Sequence, residues 1–224
     1  MSNQHTKTRV WDLPTRIFHW ALAFDVFGLL ITGFTGGDAM QWHYRFGYSV
    51  LTLLLFRLVW GIVGGKWSRF ASFVYAPYSI IRCFKGQGDP LHSVGHNPLG
   101  AFSVFAMLGL LLAQVSTGLI SDDEISAAGP LTKFVSNATV NLASSYHVTI
   151  GKLLVIVLII THVAAIVFYL YKKRENLIKP MLHGDKLLPD NTPASVDTAG
   201  TRGLALAILL VCAAAVYWLV SLGG

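Results

Sequence analysis

The chain has 224 residues, of which 54% are hydrophobic and only 12% charged, with a mean hydropathy of +0.56. A soluble globular domain carries about twice that charge, so composition excludes one and points to an integral membrane protein. The net charge of +6 and the pI near 9.4 come from loop lysines and arginines, which is the positive-inside bias and not a nucleic-acid footprint.

Five apolar stretches of spanning length follow one another. Each is expected to be helical, because lipid offers backbone groups no hydrogen-bond partners. The polar segment Met1–Arg9 lacks the short apolar region of a cleavable signal. The first span is read over Ile17–Phe34, with Asp12 as N-cap and Pro14 in the first turn, where its missing N–H costs nothing. Gly36-Gly37-Asp38 turns the chain into the second span, His43–Val63, which ends at Gly64-Gly65. A loop bearing Lys66, Arg69, Arg82 and Lys85 leads to the helix-start pair Asn97-Pro98 and the third span, Leu99–Ile120. The next loop, Ser121–Ser145, sets Asp122, Asp123 and Glu124 against Lys133. The fourth span is Tyr146–Tyr171. A polar stretch, Lys172–Arg202, carries Lys172, Lys173, Arg174, Lys179 and Lys186, and its part from Pro189 to Gly203 has the composition of a flexible linker. The fifth span is Leu204–Leu222.

The domain reading is therefore a four-span core over 1–172, a basic polar connector over 173–202 and a fifth transmembrane helix over 203–224. The fold class is all-α integral membrane: a four-helix transmembrane bundle with sites between facing helices, plus the fifth C-terminal transmembrane helix. No internal repeat stands out. Basic residues dominate the N-terminal segment, the loop before the third span and the segment after the fourth. That distribution puts the N-terminus in the cytoplasm and the C-terminus on the far side. Cys83 and Cys212 form neither a disulfide framework nor a zinc motif, and no C-x-x-C-H is present for covalent c-type haem.

Four histidines, His19, His43, His147 and His162, lie within or at the ends of these spans. His147 and His162 share one helix, about 22 Å and about 60° apart, so one metal cannot use both. Depth pairs His43 with His147 on the outer side and His19 with His162 on the inner side. A pair of imidazoles on facing helices is what a low-spin b-type haem requires, the flat ring lying between the helices. The ring needs room beside its ligands. His43 and His147 each have a glycine one turn further on, Gly47 and Gly151, and Ala164 and Ala165 lie beside His162. A lone histidine in a membrane is commonly a hydrogen-bond partner between helices. Four at two matched depths favour two haems.

The stretch Val10-Trp11-Asp12-Leu13-Pro14-Thr15-Arg16-Ile17-Phe18-His19-Trp20 resembles the W-D-x-P-x-R-x-x-H-W opening of bacterial di-haem b-type cytochromes. That family includes the membrane subunits of nickel–iron hydrogenases and small stand-alone cytochromes. Gly95-His96-Asn97-Pro98-Leu99-Gly100 and the His147/His162 helix are similar to the same family, and the resemblance covers about residues 10–172. It implies two haem b groups on His19, His43, His147 and His162. It further implies a protein of the bacterial inner membrane; the periplasmic C-terminus follows from the count of basic residues, since the fifth span lies outside the resemblance. Electrons would pass between the membrane quinone pool and a periplasmic redox partner, a cytochrome c or an oxidoreductase subunit. Two alternatives stand beside this. One is a self-sufficient quinone-linked oxidoreductase acting on a small substrate such as superoxide, for which Arg45, Lys133 and Lys152 would suit an anion while the adjacent acids weigh against it. The other is a metal-ion transporter, against which the H-x-x-x-G spacing argues. A homo-oligomer fits any of the three.

Other polar residues have bland and sharp readings. Arg57 lies about 21 Å beyond His43 along its helix. It can snorkel to the interface or pair with a haem propionate, and Arg16, Arg45 and Lys152 are similar candidates. Asp25 is costly in lipid unless paired, for example with Arg57, or protonated in proton traffic. Gln114 reads as an interhelical hydrogen bond. His96 and Asn97 read as cap and turn residues or, with Gly100, as the border of a quinone pocket. Asp122, Asp123 and Glu124 read as a solvated loop or as a docking face for a basic periplasmic partner. His5, His92 and His183 are expected to be solvated and without a role.

Overall fold

The computed structural model describes residues 5–85, 94–123 and 128–223. Strand β1 (His5–Arg9) precedes helix α1 (Leu13–Thr35), and a short 3-10 turn, Gly37–Ala39, opens α2 (Met40–Val63). Then come α3 (Pro77–Phe84), α4 (Pro98–Leu119), α5 (Asn137–Ser145), a six-residue π-helical segment at Tyr146–Gly151, and α6 (Lys152–Tyr171). The chain closes with α7 (Ile178–His183), β2 (Asp185–Pro189) and α8 (Ala199–Ser221).

Five helical stretches among the described residues are long and apolar enough to cross a membrane: Leu13–Thr35, Gly37–Val63, Pro98–Leu119, Asn137–Tyr171 and Ala199–Ser221. At 1.5 Å per residue even a span of this minimum size covers about 33 Å, enough for a hydrocarbon core of about 30 Å. Phe24, Ile31, Ile160 and Val211 point outward, the arrangement expected where the solvent is lipid.

All five spans begin before the residue expected from sequence, the fourth by the most. The fourth span begins at Asn137 and not at Tyr146, so the last nine residues of the Ser121–Ser145 loop are helix. Ser136 caps it, its hydroxyl accepting from the Thr139 N–H at 3.3 Å. Hydropathy missed this turn because Asn137, Thr139, Asn141, Ser144 and Ser145 are polar. The joined span has 35 residues, about 52 Å, which exceeds the hydrocarbon even when tilted, so its polar start stands outside. The fifth span opens at Ala199 and not at Leu204, with the Thr198 hydroxyl accepting from the Thr201 N–H at 3.3 Å.

The described chain divides into two compact units. One comprises Met1–Phe18, Arg57–Ala106 and Thr161–Leu206; the other comprises His19–Phe56, Met107–Ile160 and Ala207–Gly224.

The first unit is built on Asp12, which is fully buried. Its carboxylate caps α1 by accepting from the Thr15 N–H (2.8 Å) and also accepts from Trp60 Nε1 (3.3 Å), the Gly65 N–H (3.2 Å) and the Ser68 hydroxyl (2.7 Å). One side chain thus ties the start of α1 to the end of α2 and the turn beyond it. The expected flexible linker is instead folded. β2 pairs antiparallel with β1, from His5 opposite Pro189 to Arg9 opposite Asp185. Gly184, at φ 92 in the left-handed region that favours glycine, closes α7. Its carbonyl accepts from the Val10 and Trp11 N–H groups at 2.8 and 3.0 Å. Beyond β2, the Ser195 hydroxyl donates to Val10 O (2.8 Å) and Trp67 Nε1 donates to Pro193 O (2.8 Å). Asp197 accepts from Arg9 and Arg202, each at 2.8 Å, and from the Leu13 N–H at 3.3 Å. Burial alone would raise the Asp197 pKa. The hydrogen bond and charge of Arg202, the charge of Arg9 and the Leu13 N–H outweigh burial and hold it below the usual carboxylate range. Composition hid this order, because strand pairing across nearly the whole chain length leaves no local signature.

Candidate functional site

In the second unit α1 and α2 pack closely. Gly28 sits under Phe46, where an added Cβ would come within 2.7 Å of the ring. This brings His43, in the first turn of α2, against α1. The π-helical segment after α5 does the same for His147 against α4. A π turn recurs at functional sites. Here the His147 carbonyl accepts from the Lys152 N–H and also from Gln114 Nε2 at 3.0 Å, the interhelical bond expected of Gln114.

The structure brings His43 and His147 together. Their ring centroids are 6.2 Å apart and their planes cross at 81°. His43 Nδ1 lies 3.1 Å from Leu29 O, and His147 Nδ1 lies 2.8 Å from Gln114 O. A carbonyl only accepts, so each Nδ1 carries the proton and each Nε2 keeps the lone pair. Two metal–imidazole bonds of about 2.0 Å, with about 1.1 Å from each nitrogen to its ring centre, add up to about 6.2 Å. The observed separation is compatible with two imidazoles sharing one metal. A bare ion would demand three or four protein ligands, and the described residues hold no group of three or more His, Cys, Asp or Glu. Porphyrin supplies the missing nitrogens, so the donor set fits haem iron.

The glycines after the two histidines differ in surroundings. An added Cβ at Gly47 would meet nothing within 4 Å, leaving the space a flat ring needs. At Gly151 it would collide with Gln114 Oε1, so this glycine lets the π segment approach α4. Lys152 lies over the Phe34 ring at 5.3 Å and Arg45 over Trp42 at 4.8 Å. Asp25 is buried and accepts from the Ser49 hydroxyl at 2.5 Å.

His19 falls in the second unit and His162 in the first. The first unit also holds Arg57, 3% exposed, with its guanidinium over Phe70 at 4.6 Å. Arg57 Nη1 and Arg16 Nε are buried without a hydrogen-bond partner among the described residues. A buried cationic N–H left unmade is costly; both suit an anionic group such as a propionate. Arg16 Nη1 donates to Leu182 O at 2.6 Å. His96 lies between the rings of Trp11 and Phe73, with centroids at 4.6 and 4.5 Å. Asn97 caps α4, its Oδ1 accepting from the Gly100 N–H (2.7 Å), and its Nδ2 donates to the Tyr169 hydroxyl (2.6 Å). A cavity of about 130 Å³ opens beside this cap, lined by Phe73, Tyr75, Pro98, Ala101, Phe102 and Phe105 among others. The Asp122 N–H donates to the Ser144 hydroxyl at 2.9 Å, tying the acidic loop to α5; Glu124 and His92 lie outside the described residues.

The sequence reading missed Thr32, Gly33, Thr117 and Gly118, which surround the two imidazoles. Thr32 Oγ1 lies 3.2 Å from His43 Nδ1, and Thr117 Oγ1 lies 3.4 Å from His147 Nδ1. The signal was present: a Thr-Gly pair precedes an H-x-x-x-G twice, at unequal spacing.

The sequence model of the prokaryotic cytochrome b561 family matches residues 10–184. The chain belongs to this family. Three relatives, each described as a "Probable Ni/Fe-hydrogenase B-type cytochrome subunit", are similar along most of their length. The protein of Rhizobium leguminosarum bv. viciae is 26% identical over 218 residues, covering 81% of this chain and 89% of that one. That of Cupriavidus necator is 24% identical, covering 82% and 88%. That of Azotobacter vinelandii is 23% identical, covering 85% and 92%. As a prokaryotic cytochrome b561, the chain is a multi-pass membrane electron-transfer protein that binds haem b.

Proposed function

We propose that this cytochrome carries two b haems across the bacterial inner membrane and moves electrons between the quinone pool and a periplasmic oxidoreductase, a hydrogenase in the first instance. The observation that carries the reading is the His43–His147 pair, with proton-bearing Nδ1 atoms turned to helix carbonyls and centroids 6.2 Å apart. The names of the hydrogenase-subunit relatives support the partner class. The second haem, on His19 and His162, rests on their positions along α1 and α6. The excess of basic residues supports a cytoplasmic N-terminus and a periplasmic C-terminus.

The haems supply one-electron chemistry when bound. The chain's own residues do the rest. His43 and His147 present Nε2 lone pairs at a fixed separation. Gly47 leaves room for a flat ring. Lipid-facing helices exclude water, which strengthens every charge interaction within. Arg57 and Arg16 offer buried N–H donors to propionates. The cavity walled by Phe73, Phe102 and Phe105 has the apolar lining suited to a quinone ring, and His96, Asn97 and Gly100 adjoin its lining residues Pro98 and Ala101 along the chain. Quinol oxidation also releases protons, and of His96, Asn97 and Gly100 only His96 carries a base that could take one. The test is electron transfer from a quinol to a purified hydrogenase, or the reverse, through the cytochrome in proteoliposomes. Transfer that disappears in His43→Ala and His162→Ala variants supports the reading; a cytochrome that exchanges no electrons with quinol refutes it.

A further inference from the structure

His43 and His147 are held by one device used twice. Leu29 O and Thr32 Oγ1 both face His43 Nδ1, at 3.1 and 3.2 Å. Gln114 O and Thr117 Oγ1 both face His147 Nδ1, at 2.8 and 3.4 Å. The Thr32 hydroxyl donates to Gly28 O at 2.7 Å, and the Thr117 hydroxyl to Ala113 O at 2.9 Å. With its proton so committed, each hydroxyl oxygen meets the imidazole as an acceptor. A glycine follows each threonine. An added Cβ at Gly33 would lie 3.1 Å from His43 Cε1, and one at Gly118 would lie 2.9 Å from His147 Cε1. The carbonyl, hydroxyl and bare glycine sit at positions i, i+3 and i+4, on one helix face. Hydrogen bonds define one edge of each ring and the missing side chain makes room for the next, so neither ring is free to turn. The planes consequently cross at 81°.

We propose that Thr32–Gly33 and Thr117–Gly118 are matched positioning pairs that lock the two imidazole planes across one another and thereby set the electronic state of the haem those ligands hold; this rests on reading His43 and His147 as its ligands. An imidazole plane splits the two iron d orbitals of π symmetry. Two parallel planes add their splittings, whereas two crossed planes cancel them. Crossed ligands therefore give a ferric low-spin centre with a highly anisotropic electron paramagnetic resonance signal. The threonines act on the potential as well. An acceptor for Nδ1–H raises the basicity of the ligating nitrogen and favours ferric iron.

The experiment uses the full chain in detergent, with haem per chain, the ferric resonance spectrum and a potentiometric titration measured together. The component to follow is the one lost in His43→Ala. In the wild type it is expected to be highly anisotropic. Gly118→Ala, crowding Cε1, should move it toward the rhombic type of parallel imidazoles. The nearly isosteric T32V/T117V double variant carries the test even if the alanine variant loses haem. It should raise the midpoint by the equivalent of about three- to tenfold in the reduction equilibrium, about 30 to 60 mV, and T32S/T117S should restore it. Valine variants that keep their haem, signal shape and midpoint overturn the positioning role. A wild type that lacks any component removed by His43→Ala overturns the ligand reading and this inference with it.

Discussion

Replacing Asp12 by alanine should destabilise the protein by about 4 kcal/mol. The sum follows from what the carboxylate holds. The Thr15 N–H loses its cap, worth about 1 kcal/mol. The Gly65 N–H, the Ser68 hydroxyl and Trp60 Nε1 are left in a site with no water access, each costing about 1 kcal/mol or more. Asp12 itself is 0% exposed, so nothing replaces it from solvent. In a chain of this length 1 kcal/mol moves the midpoint by about 2–4 °C, so the melting temperature should fall by about 8–16 °C. Tryptophan fluorescence during heating in detergent reads the change directly, because Trp60 is one of the partners. Asp12→Asn keeps one acceptor and loses the other, and should fall between. An alanine variant melting within about 2 °C of the wild type would show that these four contacts do not carry the junction between α1 and α2.

Four further outcomes are expected. Asn97→Ala should slow quinol-driven haem reduction while leaving haem content unchanged, as stopped-flow and pyridine haemochrome will show; normal kinetics would remove Asn97 from the proposed quinone pocket. Arg57→Gln should lower the midpoint of the haem component lost in His162→Ala, because a buried positive charge favours the reduced form; potentiometry gives the sign. Neutralising Asp122, Asp123 and Glu124 together should flatten the salt dependence of electron transfer to a basic partner, and an unchanged slope would dispose of docking there. Asp197 is held below its ordinary value. Its contribution is therefore full above the unfolded carboxylate pKa of about 3.9 and fades as pH falls through the folded value. Asp197→Asn should melt below the wild type at neutral pH, and the gap should close in acid.

The five spans were legible because lipid imposes long uninterrupted apolar runs. Asp12 was legible as a helix cap from its place before Leu13-Pro14, though not as the hub that also binds Trp60, Gly65 and Ser68, since those partners lie about 50 residues on. That His43 and His147 lie close together was legible from depth alone. The surroundings of that pair were not. Backbone carbonyls such as Leu29 O and Gln114 O have no identity in a sequence, and Thr32 and Thr117 read as ordinary small residues in a span. The polar first turns of the fourth span were lost because hydropathy sees only lipid-facing length. Pro189, Asp190 and Thr192 look like linker residues, while the contacts that hold Pro193, Ser195 and Asp197 come from Trp67, Val10 and Arg9, which no window of local sequence contains.

Haem stoichiometry in ligand variants tests the central claim most directly. Pyridine haemochrome should find two b haems per wild-type chain and one in His43→Ala. It should again find one in His147→Ala and in the double variant, because both residues serve the same haem. Two haems retained in either single variant, or none left in the double variant, would contradict the assignment of His43 and His147 to one shared haem.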